Sequence, residues 1–261
     1  MNRHLLPWHM FIWWSLHLAL SVESKVTCIR DGGPIKSVYH NFTDFTGINN
    51  QSPFNVILSP CAQDGVQVIA NAKLQPLLQL SIVGNNTLTL TTGNLCIACN
   101  CRMDVYVGVR NGRLSSLTSA GNGGLMYTTQ PFGNVQAFLI EANGNSGMQN
   151  MMLNPTEILV AATFGNAGIA VFGSAPNVTL VNNANGALLD ASNFQARYVD
   201  VLQWGNAVSC YVWATDQLKV DAHRQAGPVY YRGQPQLNLS NRTASNQVKK
   251  YTGSVTAKTS T

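Results

Sequence analysis

The stretch ILVAATFGNAGIAVFGSAPNVTLVNNANG, Ile158 to Gly186, alternates strand-like runs with corners. Three short runs within it, Ile158–Ala162, Ile169–Phe172 and Asn177–Leu180, read as β-strands. Between and after them stand two corners, Gly165-Asn166 and Asn185-Gly186. Gly and Asn tolerate positive φ, so such pairs sit where a strand must turn. Pairs of this kind at 121–122, 143–144, 165–166, 185–186 and 205–206 advance in steps of 22, 22, 20 and 20. A corner about every 21 residues, with one to three strands between, predicts a coiled β-solenoid. Further pairs at 84–85, 93–94, 111–112 and 133–134 lie between or before these and leave a hairpin β-sandwich as the alternative.

The rest of the chain agrees with an all-β class. Thr87–Thr91, Asp104–Arg110, Val135–Ile140, Tyr198–Val201 and Ser209–Ala214 alternate or run apolar in the manner of strands. No stretch of 12 or more residues keeps the i, i+3, i+4 pattern of an amphipathic helix. We divide the chain into a leader over residues 1–24, one solenoid domain over 25–245, and a flexible polar tail over 246–261. The leader has a short basic start, an apolar run from Phe11 and small residues at Val22 and Ser24, as a secretory signal peptide cut after Ser24 (or Ser21) requires. Its apolar run is shorter than the roughly 20 residues of a membrane span. No other stretch is apolar and long enough to cross a bilayer, so the expected protein is secreted and extracellular.

Charged residues are 10% of the chain, and the net charge of +5 is thinly spread. His223-Arg224 and Lys249-Lys250 are its dense spots, too few for a nucleic-acid footprint, which needs clustered Lys and Arg on one face. The six cysteines, Cys28, Cys61, Cys96, Cys99, Cys101 and Cys210, all follow the leader. An even number in an oxidising compartment predicts three disulfides, with Cys28 stapling the N-terminal segment to the body. A metal site is not expected: Cys96-Ile-Ala-Cys99 has no second CxxC, and His40 and His223 are the only histidines beyond the leader. Asn41, Asn85, Asn177, Asn238 and Asn241 fit the glycosylation pattern of a eukaryotic secreted protein. Asn50 fits it too, with Pro53 directly after, and Asn154 is excluded by Pro155.

From Leu189 to Pro235 the sequence resembles the closing segment of the "putative auto-transporter adhesin, head GIN domain" family. The resemblance rests on the strand Val212-Trp-Ala-Thr-Asp-Gln-Leu-Lys-Val220 and on Gly227-Pro-Val229-Tyr-Tyr231-Arg-Gly233-Gln-Pro235. It extends to Phe42-Thr-Asp-Phe45-Thr-Gly-Ile48 and Phe54–Leu58 near the front and covers roughly residues 35 to 240. Gly205-Asn206 stands where the family usually has Gly-x-Gly, and the Cys96–Cys101 cluster and the sequons are additions to its pattern. The resemblance implies a right-handed parallel β-helix and an adhesin-like role.

No catalytic constellation emerges. Glycoside hydrolysis needs two carboxylates facing one groove. Only Asp190, Asp200, Asp216 and Asp221 are spaced to converge on adjacent rungs, and Asp is a common turn residue. Two histidines leave little for a Ser-His-Asp arrangement, and the alternation places His223 on the solvent side of its strand. The expected function is a non-enzymatic extracellular adhesion or recognition module without cofactor, binding glycan or protein. The alternative is a carbohydrate-active β-helix enzyme, a polysaccharide lyase or glycosidase. For docking, Val208, Cys210, Val212 and Ala214 take one face of their strand and leave Tyr211 and Trp213 on the other. Tyr230, 19 residues beyond Tyr211, falls one rung away on the same outer face. Such rings form an aromatic platform for a ligand, or else cover the last rung of the solenoid.

Overall fold

A computed structural model describes residues 28–252, apart from 85, 94, 122, 123, 134, 187, 205, 207 and 208. The expected leader, Asn85 and residues 253–261 lie outside the described residues. In chain order the strands are β1 (Ile35–His40), β2 (Gly47–Asn50), β3 (Asn55–Cys61), β4 (Gly65–Asn71), β5 (Leu78–Val83), β6 (Thr87–Thr92), β7 (Met103–Arg110), β8 (Ser116–Gly121) and β9 (Leu125–Thr128). They continue as β10 (Ala137–Gly144), β11 (Gly147–Leu153), β12 (Ile158–Gly165), β13 (Ile169–Ala184), β14 (Leu189–Gln203), β15 (Cys210–Ala222), β16 (Val229–Arg232), β17 (Gln236–Leu239) and β18 (Val248–Lys250).

These strands coil into a β-solenoid with two parallel faces. The first sheet stacks β6, β2, β8, β10, β12, the second halves of β13, β14 and β15, and then β17. The second sheet stacks β7, β3, β9, β11, the first halves of β13, β14 and β15, and then β16 and β18. Parallel pairing one coil apart, rather than hairpin pairing, excludes the sandwich. Inside the first sheet Ile140, Ala161, Leu180, Val201, Val220 and Leu239 form one column, each 19 or 21 residues from the last. Inside the second, Val56, Met126, Met148, Ile169, Leu189, Cys210, Val229 and Val248 form another. A single core fills the space between them.

The corners explain the glycine spacing. Gly121, Gly144 and Gly165 stack with φ of 122°, 77° and 73°. A Cβ on Gly144 would lie 2.8 Å from the Gly121 carbonyl oxygen, and one on Gly165 would lie 2.9 Å from that of Gly144. The following amides close each corner: Asn145 N donates to Gly121 O, Asn166 N to Gly144 O and Asn185 N to Gly165 O. Asn166 Nδ2 donates to Asn145 Oδ1 at 3.1 Å, an amide ladder along the turn.

The N-terminal end departs from simple coiling. The chain lays down β2 and β3, then turns back to build the coil beneath them with β6 and β7. It caps that coil with antiparallel β5 on β6, β4 on β7 and β1 on β4. Only then does it pass to β8, above β2. Asp64 ties this crossing together. Buried, it accepts from Asp44 N at 2.9 Å and Arg110 N at 2.6 Å, with the Arg113 guanidinium 4.0 Å away.

Two expectations are corrected. Cys28 pairs with Cys96 and Cys99 with Cys101, but Cys61 and Cys210 are free thiols. Cys210 takes a core position between Leu189 and Val229, where it serves as a small apolar side chain. Cys61 ends β3 on the exposed surface. The Cys28–Cys96 bond does staple the first described residues to the body, helped by the Ile29–Ile97 bridge. The solenoid also runs past the expected boundary at 245: Ser245–Gln247 form a 3-10 turn and β18 pairs with β16.

Candidate functional site

The outer face of the second sheet gathers the aromatic side chains singled out above. Alternation turns Val212 and Ala214 inward and Tyr211 and Trp213 outward on β15. Parallel register then sets Tyr230 beside Tyr211 and Arg232 beside Trp213. The two tyrosine rings stack with centroids 4.9 Å apart and planes at 16°, which is the rung spacing of a β-sheet. The Arg232 guanidinium lies 3.6 Å over the Trp213 ring, a cation–π contact. Tyr251, just beyond β18, meets Tyr211 edge-on at 6.0 Å.

This geometry modifies the expected platform. The rings are in one cluster, but the facing sides of Tyr211 and Tyr230 are covered by each other and one side of Trp213 by Arg232. What they offer outward is ring edges, hydroxyls and a cation, not a flat apolar floor. The cluster also holds the last coil, since Tyr251 N donates to Tyr231 O. Burial, and after it the neighbouring Tyr230, raises the Tyr211 pKa above that of an ordinary phenol, so its hydroxyl stays protonated. The sequence reading missed Arg232, Lys249 and Tyr251. The 19-residue offset that links Tyr211 to Tyr230 also links Trp213 to Arg232 and Tyr230 to Lys249.

The four candidate carboxylates do not gather on one face: Asp200 and Asp221 both act on Lys219 on the first sheet, while Asp190 lies on the second. Asp190 accepts from Ser192 N beside Tyr211 on the second sheet. Asp200 is bound to Lys219 at 2.8 Å on the first sheet. Asp216 is held below the usual carboxylate range by the Thr215 hydroxyl and then by Arg197. Asp221 is lowered by the Ser240 hydroxyl and then by Arg242. A general acid needs the opposite shift. No group of three or more His, Cys, Asp or Glu side chains converges among the described residues. His223 is exposed, as its alternation predicts, and His40 stacks on Phe42. No helix among the described residues is long and apolar enough to cross a membrane.

The sequons divide by position. Asn41, Asn177, Asn238 and Asn241 are exposed. Asn50 is buried and donates to Phe54 O at 2.9 Å, which removes it as an acceptor. Asn177 and Asn238 lie in first-sheet strands, and Asn241 follows β17. The second sheet carries no sequon between Gly147 and Tyr251.

The family described as "Putative auto-transporter adhesin, head GIN domain" matches residues 44–235. No curated protein matches the chain. Among solved structures, a "putative adhesin" from Bacteroides fragilis has a TM-score of 0.70 at 16% identity, covering 85% of this chain and 95% of its own. A "putative adhesin" from Parabacteroides merdae gives 0.63 at 15% identity over 86% and 99%. A "putative lipid binding protein" from Parabacteroides distasonis gives 0.62 at 15% identity over 87% and 100%. At these identities the likeness is one of fold.

Proposed function

The chain belongs to the "putative auto-transporter adhesin, head GIN domain" family, and from that premise we propose that it is a secreted, non-enzymatic recognition module. It binds an extracellular glycan or protein through the outer face of the second sheet. The observation that carries this reading is the cluster of Tyr211, Trp213, Tyr230, Arg232 and Tyr251 on the stretch of the second sheet, from β11 onward, that carries no sequon. Glycans on Asn177, Asn238 and Asn241 would cover the first-sheet side and leave the second open. Aromatic residues and arginine are also the side chains that dominate binding energy at interfaces. The carboxylates of the last coils are spent on ion pairs and hydrogen bonds, which supports binding without turnover.

The test is a binding screen of the secreted protein on glycan arrays and immobilised extracellular matrix, with melting temperature followed for every variant. Tyr211→Ser and Trp213→Ser probe the cluster itself. Gln195→Glu, at an exposed neighbour in register with Trp213, changes the surface without touching the core. Loss of binding at an unchanged melting temperature supports the proposal. Retained binding in all three variants, or a new reducing end or unsaturated sugar in the bound glycan, overturns it.

A further inference from the structure

Charge is distributed unevenly along the solenoid axis. From residue 114 to 196 the sequence has Glu141, Glu157 and Asp190 and no Lys or Arg. From residue 222 to the end it has Arg224, Arg232, Arg242, Lys249, Lys250 and Lys258 and no Asp or Glu. Elsewhere cations are commonly paired, as in Lys73–Asp31, Arg102–Asp104, Arg197–Asp216 and Lys219–Asp200. At the C-terminal end Arg242 is paired with Asp221, while Arg224, Arg232, Lys249 and Lys250 have no acidic partner among the described residues. Two of these four, Arg232 and Lys249, point outward on the second sheet, in the register that carries Trp213 and Tyr230.

We infer that the last coils form a docking surface for an acidic glycan, a polysaccharide bearing carboxylate or sulfate groups. This rests on the recognition role proposed above and names the class of its ligand. The covered ring faces are what decide the class. A neutral sugar docks by laying its apolar side on an open ring, and nucleobases dock by stacking. Here the facing sides of Tyr211 and Tyr230, and one side of Trp213, are already occupied. The outward groups are instead hydrogen-bond donors and cations: two tyrosine hydroxyls, a guanidinium and an ammonium. Strands about 4.8 Å apart space them in rows across three rungs, from β15 through β16 to β18. A linear polyanion can lie across such rows and meet several donors at once. Asp190, next to Tyr211 and engaged with Ser192 N, marks the acidic edge of the surface.

The probe is immobilised heparin, with dextran as the neutral glycan, polyglutamate as a non-glycan polyanion, and phosphatidylserine vesicles as an anionic membrane. The expected result is salt-sensitive binding to heparin above the other three. The variant Arg232→Gln/Lys249→Gln should lose about tenfold or more and lower the slope of log affinity against log salt by about two, one per cation removed. Lys249→Gln/Lys250→Gln leaves the Trp213 stack intact and should lower the slope as well. Arg30→Gln/Lys36→Gln, at the opposite end, should leave binding unchanged. Equal retention on polyglutamate, preference for the vesicles, or unaltered heparin binding in both C-terminal variants overturns the inference. Salt-insensitive binding of a neutral glycan or a protein at the same face overturns the acidic class and leaves the recognition face standing. Binding untouched by every second-sheet variant overturns both.

Discussion

Cys210 is governed by its column rather than by the parity of the cysteine count. It lies between Leu189 and Val229 with none of its surface exposed, and burial, with a smaller push from Asp190, raises its pKa out of the titrating range. A thiol that neither ionises nor meets solvent neither oxidises nor labels. Native thiol labelling should therefore find one group, Cys61, and denatured labelling two. Three intact disulfides, or two groups labelled in the native state, would contradict this. Cys210→Val should cost under about 1.5 kcal/mol as a near volume-conserving change. Cys210→Ser, which buries an unpaired hydroxyl, should cost about 1–3 kcal/mol. The inward alternation of Cys210 was legible in the sequence. Its oxidation state was not, because pairing depends on what stands within bonding reach across coils. Gly144 makes the complementary case. Its positive φ and the Gly121 carbonyl both oppose a Cβ, so Gly144→Ala should lower stability by about 1–3 kcal/mol in thermal unfolding.

Among the elements, the N-terminal cap depends on Asp64 as the coils depend on their corners. Its two oxygens satisfy the Asp44 and Arg110 amides where the chain leaves one coil to pass over the next. Asp64→Ala strands those donors at about 1–3 kcal/mol each. Hydrogen exchange should quicken in β4 and β7 before the C-terminal coils, and uniform exchange would contradict the cap's dependence on this residue. At the other end Asp216 and Asp221 have pKa values lowered by hydrogen bonds and then by Arg197 and Arg242. A carboxyl with a lowered folded pKa contributes stability that is complete above its unfolded value, about 3.9, and is lost as pH falls through the folded value. The melting temperature should fall below about pH 4, and Asp221→Asn should flatten that fall. An unchanged pH profile in the variant would remove Asp221 from the account. The coil period was readable because each turn repeats the same backbone problem at Gly or Asn. The cap was not. Val66–Ala70 alternates like any strand, and nothing local says that it runs antiparallel to β7 or that β6 and β7 lie beneath β2 and β3.

At the scale of the molecule, the solenoid converts a period of 18 to 22 residues into surface columns. That is why Tyr211 and Tyr230 could be placed together from sequence, and why Arg232 and Lys249 join them once the register is known. Two faces result, one bearing the exposed sequons at Asn177 and Asn238, the other without a sequon from β11 onward and carrying aromatic and cationic groups. On the proposed function, the sequon-free stretch of the second sheet does the binding. Gln195→Thr puts this to the test, because it turns Asn193, on β14, into a glycosylation site one coil from Trp213. Binding of the secreted, labelled protein to cell surfaces is the quantity to measure, with mass confirming the added glycan and melting temperature confirming the fold. Loss of cell binding with the fold intact is the predicted result. Full binding despite an occupied glycan at Asn193 would mean that the ligand docks elsewhere.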